Sequence, residues 1–185
     1  MRALFLSPHD DDNVLFGAYT CMRVKPLVAV VTDSLRQPMR GEVGCDAGTR
    51  MEETRKACEI LGCPVFRMGI PDTYFDADPK VGELLERVLK CFQNYDVVYA
   101  PAKQGGNKDH DVISDVAKKV YGDKVVFYTT YTKEELYTTG TKEIVPTEAE
   151  KAIKEKALEC FVSQLNLRST RPHFEAIKGK SEWYE

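Results

Sequence analysis

Residues 3–20 read ALFLSPHDDDNVLFGAYT: a short apolar run meets a Pro, a His and three aspartates, and a stretch of helical period follows. An apolar run without alternation is what a strand covered on both faces requires, and the charged turn after it marks the entry to a helix. The same order recurs along the chain. RALFLS (2–7), PLVAVVT (26–32), PVFRM (64–68), DVVYAP (96–101) and KVVFYTTY (124–131) read as strands, rich in β-branched and aromatic residues. Between and after them, residues 12–23, 48–61, 80–93, 110–120 and 148–164 read as amphipathic helices, the second ending in ILGCP, a Gly and Pro stop.

Strand, helix, strand in repetition predicts an α/β fold: a Rossmann-like three-layer sandwich with a mostly parallel central sheet. Ligands of such sheets bind beyond the carboxyl ends of the strands. SPHDDDN follows the first strand and APAKQGGNKDHD the fourth, so both polar clusters are expected on one rim. GEVGCDAG (41–48) reads as a loop over that rim or a plain connector, and residues 165–185 as a polar, mixed tail ending in SEWYE.

Composition narrows the class. With 185 residues, 43% of them hydrophobic, the chain fills one core, and a single domain over 1–185 is expected. Twenty-six basic and 29 acidic residues, net −3, are spread along the chain, so the basic stripe of a nucleic-acid binder is missing and no nucleic-acid partner is expected. No window reaches the roughly 20 apolar residues of a transmembrane segment. Six cysteines without Cys-x-x-Cys spacing, some within apolar periodic segments, suit a reducing cytoplasm with thiols serving as small core residues.

The acidic turn carries the chemistry. Carboxylates in a first helical turn complement the dipole for about 0.3–1 kcal/mol each, and one aspartate would serve that end. Three adjacent carboxylates beside His9 repel one another, and a cation offsets the repulsion most simply. His9 and Asp12 are three apart, on one side of a helical turn. A catalytic metal usually takes three protein ligands and an open position, and His110 in NKDHD lies on the same predicted rim. His173, in RPHFE of the tail, is expected to be an ordinary surface or core residue. Two histidines and an aspartate suit Zn2+, with another divalent metal left open by ligand types alone. Asp11, beside the metal without binding it, is then the candidate base for water, and the whole reads as a metal hydrolase site.

Taken together, PHDDDN and NKDHDV resemble the signatures of the PIG-L/LmbE-type zinc-dependent N-acetylglucosamine deacetylases. VVTDS, RMEETRKACEILG, GIPD, SQ (163–164) and SEWYE extend the likeness, in order, over most of the chain. The resemblance implies His9, Asp12 and His110 as metal ligands and Asp11 as general base. It also implies removal of an N-acetyl group from an amino sugar or related conjugate, by attack of activated water on the amide. Arg50 and Asp72 fall where the family contacts substrate; the alternatives are an Arg50–Glu53 pair on a helix face and a turn shaped by Asp72 after Pro71. Asp10 and Asn13 depart from the family's usual proline and glutamate. Asn107 stands where relatives carry a His, so it can donate a hydrogen bond to the oxyanion but no proton to the amine. Asp109, which supports that His in relatives, is left with capping the next helix.

Two rivals stay open: a metal-holding homologue that cleaves nothing, and a metal phosphohydrolase. QPMRGEVGCDAGT and IPDTYFDADP are expected to wall the pocket, with Tyr74 and Phe75 available to stack on a sugar or to pack in the core. The chain is short for the family, so the acceptor face is expected to be more open or completed by another subunit of a homo-oligomer.

Overall fold

The computed structural model describes residues 1–34, 44–71 and 80–185. Asp72, Tyr74, Phe75 and most of the two expected pocket walls lie outside them. Seven strands among the described residues form one sheet: β1 (Ala3–Ser7), β2 (Leu27–Thr32), β3 (Val65–Ile70), β4 (Val97–Pro101), β5 (Val125–Tyr128), β6 (Lys142–Ile144) and β7 (Glu182–Tyr184). Their spatial order is β3-β2-β1-β4-β5-β7-β6. The first five are mutually parallel, and β7 runs antiparallel to both β5 and β6. This is the mostly parallel, Rossmann-like α/β sheet that the alternating pattern predicts.

Helices cover both faces because strand residues alternate between two cores. Phe5, Val28, Val30 and Tyr128 point to one face, and Leu4, Leu6, Ala29, Val31, Val98 and Ala100 to the other. Tyr128 stacks on Phe5 at 4.7 Å and its buried hydroxyl donates to the Leu6 carbonyl at 2.8 Å, so its one polar atom is satisfied. Helix α3 (Ala47–Leu61) follows the sequence expectation closely, with Asp46 accepting from the Thr49 amide at its start and Gly62 left-handed (φ 71°) at its end. Helices α4 (Lys80–Lys90) and α5 (Lys108–Tyr121) likewise fall within a few residues of their predicted spans.

Three expectations change. The predicted helix 12–23 is two pieces, α1 (Asp12–Leu15) and α2 (Ala18–Val24). The break falls at Gly17, where a Cβ would run into the Phe5 ring: the backbone passes too close to β1 for any side chain. The predicted helix 148–164 is α6 (Glu148–Leu158) and α7 (Val162–Leu165), parted where Phe161 turns fully into the core. The tail is not a loose end. It forms α8 (Arg171–Ile177) and then β7, which enters the sheet beside β5. Glu182 of β7, 2% exposed, accepts from the Tyr19 and Thr20 amides at 2.8 and 3.2 Å and pairs with buried Lys154 at 3.4 Å. The cysteines also divide: Cys21, Cys58 and Cys63 are core residues, as expected of such thiols, whereas Cys91 is exposed.

The order of strands positions the site. After β1 the chain winds outward through β2 and β3, then returns to lay β4 on the other side of β1. The turns leaving β1 and β4 therefore diverge from adjacent strands, which opens a crevice at this switch point. No helix among the described residues is long and apolar enough to cross a membrane.

Candidate metal centre

The turn after β1 is built before any ligand is considered. Ser7 Oγ donates to the His9 carbonyl at 2.7 Å and accepts from the Asn13 amide at 3.0 Å. The Pro8 carbonyl receives the Thr32 amide at 3.0 Å and hydroxyl at 2.9 Å, tying the turn to the end of β2. The Asp11 carbonyl then starts the helix by accepting from the Val14 and Leu15 amides. All three aspartates are buried by this arrangement, and each meets a different need.

Asp10 is a structural anchor. It pairs with Arg67 of β3, accepts from Thr54 Oγ1 at 2.7 Å and lies 3.8 Å from Arg50 Nε, so the additional charge at this position is matched by two guanidinium groups. Asp12 faces the other way. Its Oδ2 lies 3.1 Å from His9 Nδ1 and 3.2 Å from His110 Nε2, and those two nitrogens are 3.4 Å apart. Asp11 stands beside this triangle without joining it, 3.4 Å from Arg50 Nη2.

The triangle fits a metal ion. Tetrahedral zinc with bonds of about 2.0–2.1 Å needs ligand atoms roughly 3.3–3.4 Å apart, and these donors, at 3.1, 3.2 and 3.4 Å, lie close to that spacing. The second nitrogen of His9 strengthens the fit. His9 Nε2 is 3.1 Å from Asp109 Oδ2, and because a carboxylate can only accept, this contact favours the tautomer in which Nδ1 is available to an ion. Asp109 therefore does not cap the helix. The cap of α5 is Asn107, whose Oδ1 accepts from the Asp109 amide at 2.8 Å, and this frees the Asp109 side chain to reach His9. The expectation of a capping Asp109 is corrected by this exchange of roles.

Electrostatics separate the two neighbouring carboxylates. Burial raises the pKa of Asp11, with Arg50 opposing and Asp12 and Asp10 adding to the rise. Burial acts on Asp12 as well, but the two imidazoles, His110 above all, outweigh it and hold the carboxyl far below the usual range. The two neighbouring carboxyls are thus shifted in opposite directions.

Arg50 is 3% exposed. Besides Asp10 and Asp11 it lies 3.8 Å from Glu53, which in turn accepts from the Ser163 amide and hydroxyl at 2.8 and 2.6 Å. The Glu53 partner proposed for Arg50 from helix spacing is present, and the aspartates are added to it. Glu53 also explains the SQ pair: Ser163 docks α7 on α3.

Two residues that the sequence did not single out for the site join it. Tyr131, after β5, contacts the His110 ring edge-on with centroids 5.3 Å apart, and the Asn107 amide faces its hydroxyl. Its loop presses on Gly106, where a Cβ would collide with the Tyr131 carbonyl, so that glycine is required for the approach. His173 of α8 packs against the same Tyr131 ring at 4.7 Å. The histidine expected to be an ordinary surface or core residue is a half-buried one packed on this ring, because α8 folds back toward the switch point.

Fold and site together define an α/β protein with a His, Asp and His triad, His9 half-buried and the other two buried, and a flanking carboxylate at the switch point of a mostly parallel sheet. The family model described as PIG-L, GlcNAc-PI de-N-acetylase, matches residues 4–121, well over half of the chain. The chain belongs to this family. A comparison with curated proteins finds no match. Among solved structures, the zinc-inhibited form of teicoplanin deacetylase Orf2 superimposes with a TM-score of 0.73 at 16% identity, over 100% of this chain and 97% of that one. N,N'-diacetylchitobiose deacetylase from Pyrococcus horikoshii gives 0.73 at 16% identity, over 100% and 82%. GalB, the 4-carboxy-2-hydroxymuconate hydratase from Pseudomonas putida KT2440, gives 0.70 at 16% identity, over 100% and 95%. At such identities the likeness is one of fold, and the hydratase shows that this fold also carries a different chemistry.

Proposed function

We propose that this protein is a zinc-dependent N-deacetylase that releases acetate from an N-acetylated amino sugar or related conjugate. The observation that carries the reading is the 3.1–3.4 Å triangle of His9 Nδ1, Asp12 Oδ2 and His110 Nε2 with Asp11 beside it, in a chain of the de-N-acetylase family. When bound there, Zn2+ supplies Lewis acidity, polarising the acyl carbonyl and lowering the pKa of water.

The chain's own groups do the rest. Asp11 takes the proton of the attacking water; its raised affinity for a proton suits that task, and Arg50 at 3.4 Å steadies the carboxylate in place. Arg50 thus acts through Asp11 in this reading, in place of the direct substrate contact expected from the family. Asn107 spends its carbonyl on the helix cap and turns its amide to Tyr131, so it serves as a positioning residue at the rim. Asp109 orients His9. Asp72 keeps the substrate-contact role expected from the family.

The test pairs elemental analysis with acetate release from N-acetylated amino sugars, with and without added Zn2+. We expect about one zinc per chain and acetate release that falls by ~100-fold or more in Asp11→Asn, with zinc retained. Full activity in Asp11→Asn removes Asp11 as the base. Bound zinc with no acetate from any amide favours another chemistry on the same fold, as the hydratase neighbour illustrates.

A further inference from the structure

The three histidines of the chain converge on one place, although His9 and His173 come from opposite ends of the sequence. His9 and His110 belong to the metal triangle, their ring centroids 5.3 Å apart. His173 reaches the same cluster through Tyr131, which it contacts at 4.7 Å and whose ring also meets His110 at 5.3 Å and Phe16 at 6.0 Å.

Packing alone does not ask for an imidazole at this position. Helix α8 is already fastened by Phe174 and Ile177, 3% and 1% exposed. His173 buries Nδ1 with no hydrogen-bond partner among the described residues, an arrangement that calls for a reason. Asp11, Asp12 and His110, residues of the candidate centre, are the charged groups near enough to act on its titration, while its ring contact is with Tyr131.

We propose that His173 is the proton donor to the leaving amine. The assignment rests on the deacetylase reading above. In that reaction Asp11 removes one proton from the attacking water, and the water oxygen bonds to the acyl carbon. As the tetrahedral intermediate collapses, the C–N bond breaks, its electron pair stays on nitrogen, and the His173 imidazolium delivers a proton there. Neutral imidazole remains and is reprotonated from solvent, while the Asp11 proton is released to solvent, so amide and water become acetic acid and amine. Asn107, at the start of α5, has no proton to give. Burial pulls the His173 pKa below its ordinary 6.5, with Asp11 and Asp12 pulling it back up and His110 lowering it further, which makes the imidazolium a readier acid than a free one.

The experiment compares zinc-loaded wild-type and His173→Gln proteins on two probes: an N-acetylated amino sugar, whose amine needs a proton to leave, and 4-nitrophenyl acetate, whose phenolate does not. The expected result is a loss of ~100-fold on the amide, a change of no more than about threefold on the ester, and unaltered zinc affinity by chelator competition. Equal losses on both probes, or no loss on the amide, overturn the assignment. A second readout needs no variant: the His173 13Cε1 resonance of the zinc-loaded wild type should shift when acetohydroxamate is added, and an unmoved resonance overturns the proposal. A wild type that releases acetate from neither probe removes the deacetylase reading itself, a failure distinct from an active enzyme indifferent to His173.

Discussion

Replacing Asp109 tests the candidate centre without touching a ligand. The Asp109 carboxylate, 3% exposed, lies 3.1 Å from His9 Nε2 and, by accepting there, holds the ring with Nδ1 aimed at Asp12 and His110. Asp109→Asn keeps the shape and one acceptor but removes the charge, so the imidazole becomes a weaker donor to a metal and its tautomer is less firmly held. Outer-shell partners of this kind change metal affinity by about 10–100-fold, or roughly 1.4–2.7 kcal/mol. Asp109→Asn should fall at the lower end and Asp109→Ala, which removes the acceptor altogether, at the upper. Helix α5 should be little disturbed, because its cap is Asn107. The assay is competition for Zn2+ with a chromophoric chelator at one fixed pH, since protons compete for the histidines. Zinc affinity within about twofold of wild type in both variants would refute the role given to Asp109.

Two further substitutions address the fold around the site. Lys154→Met should cost about 3–5 kcal/mol in urea unfolding because it strands the Glu182 carboxylate, whereas adding Glu182→Gln should recover part of the loss; additive losses would refute the coupling. Glu150 closes the capping box of α6 and meets Arg23 at 2.7 and 2.8 Å, and with Arg23 as the main cause its pKa falls from 4.5 to about 2. A carboxylate lowered in the native state stabilises above its unfolded value and loses that contribution as pH falls through the folded one. Glu150→Gln should therefore cost about 1 kcal/mol at pH 7 and progressively less from pH 4.5 toward 2; a pH-independent difference would refute it.

The sequence by itself determined the sheet and the nature of its rim. Five short runs rich in β-branched and aromatic residues, alternating with helical periods, read as strands of a parallel sheet, and the Gly62 stop of α3 is local chemistry. The clustering of His9 and Asp12 was legible for the same reason, being set within one turn. Strands β6 and β7 were not legible: each is three residues long, and β7 is a strand only because Tyr184 finds Tyr128 and Lys142 across the sheet. The partners of the acidic turn lie beyond local reach as well. Arg67 meets Asp10 because β3 lies two strands away with α3 packed across the gap, and Asp109 meets His9 because the winding places β4 beside β1. His173 is the extreme case. Nothing near it in the chain distinguishes it from a surface residue, and only the return of α8 over the switch point, secured by Phe174, Ile177 and the buried Lys154–Glu182 pair behind them, brings it to Tyr131. Short-range preference writes elements into the sequence; contacts between distant segments exist only once burial has paired those elements, and the site consists mostly of such contacts.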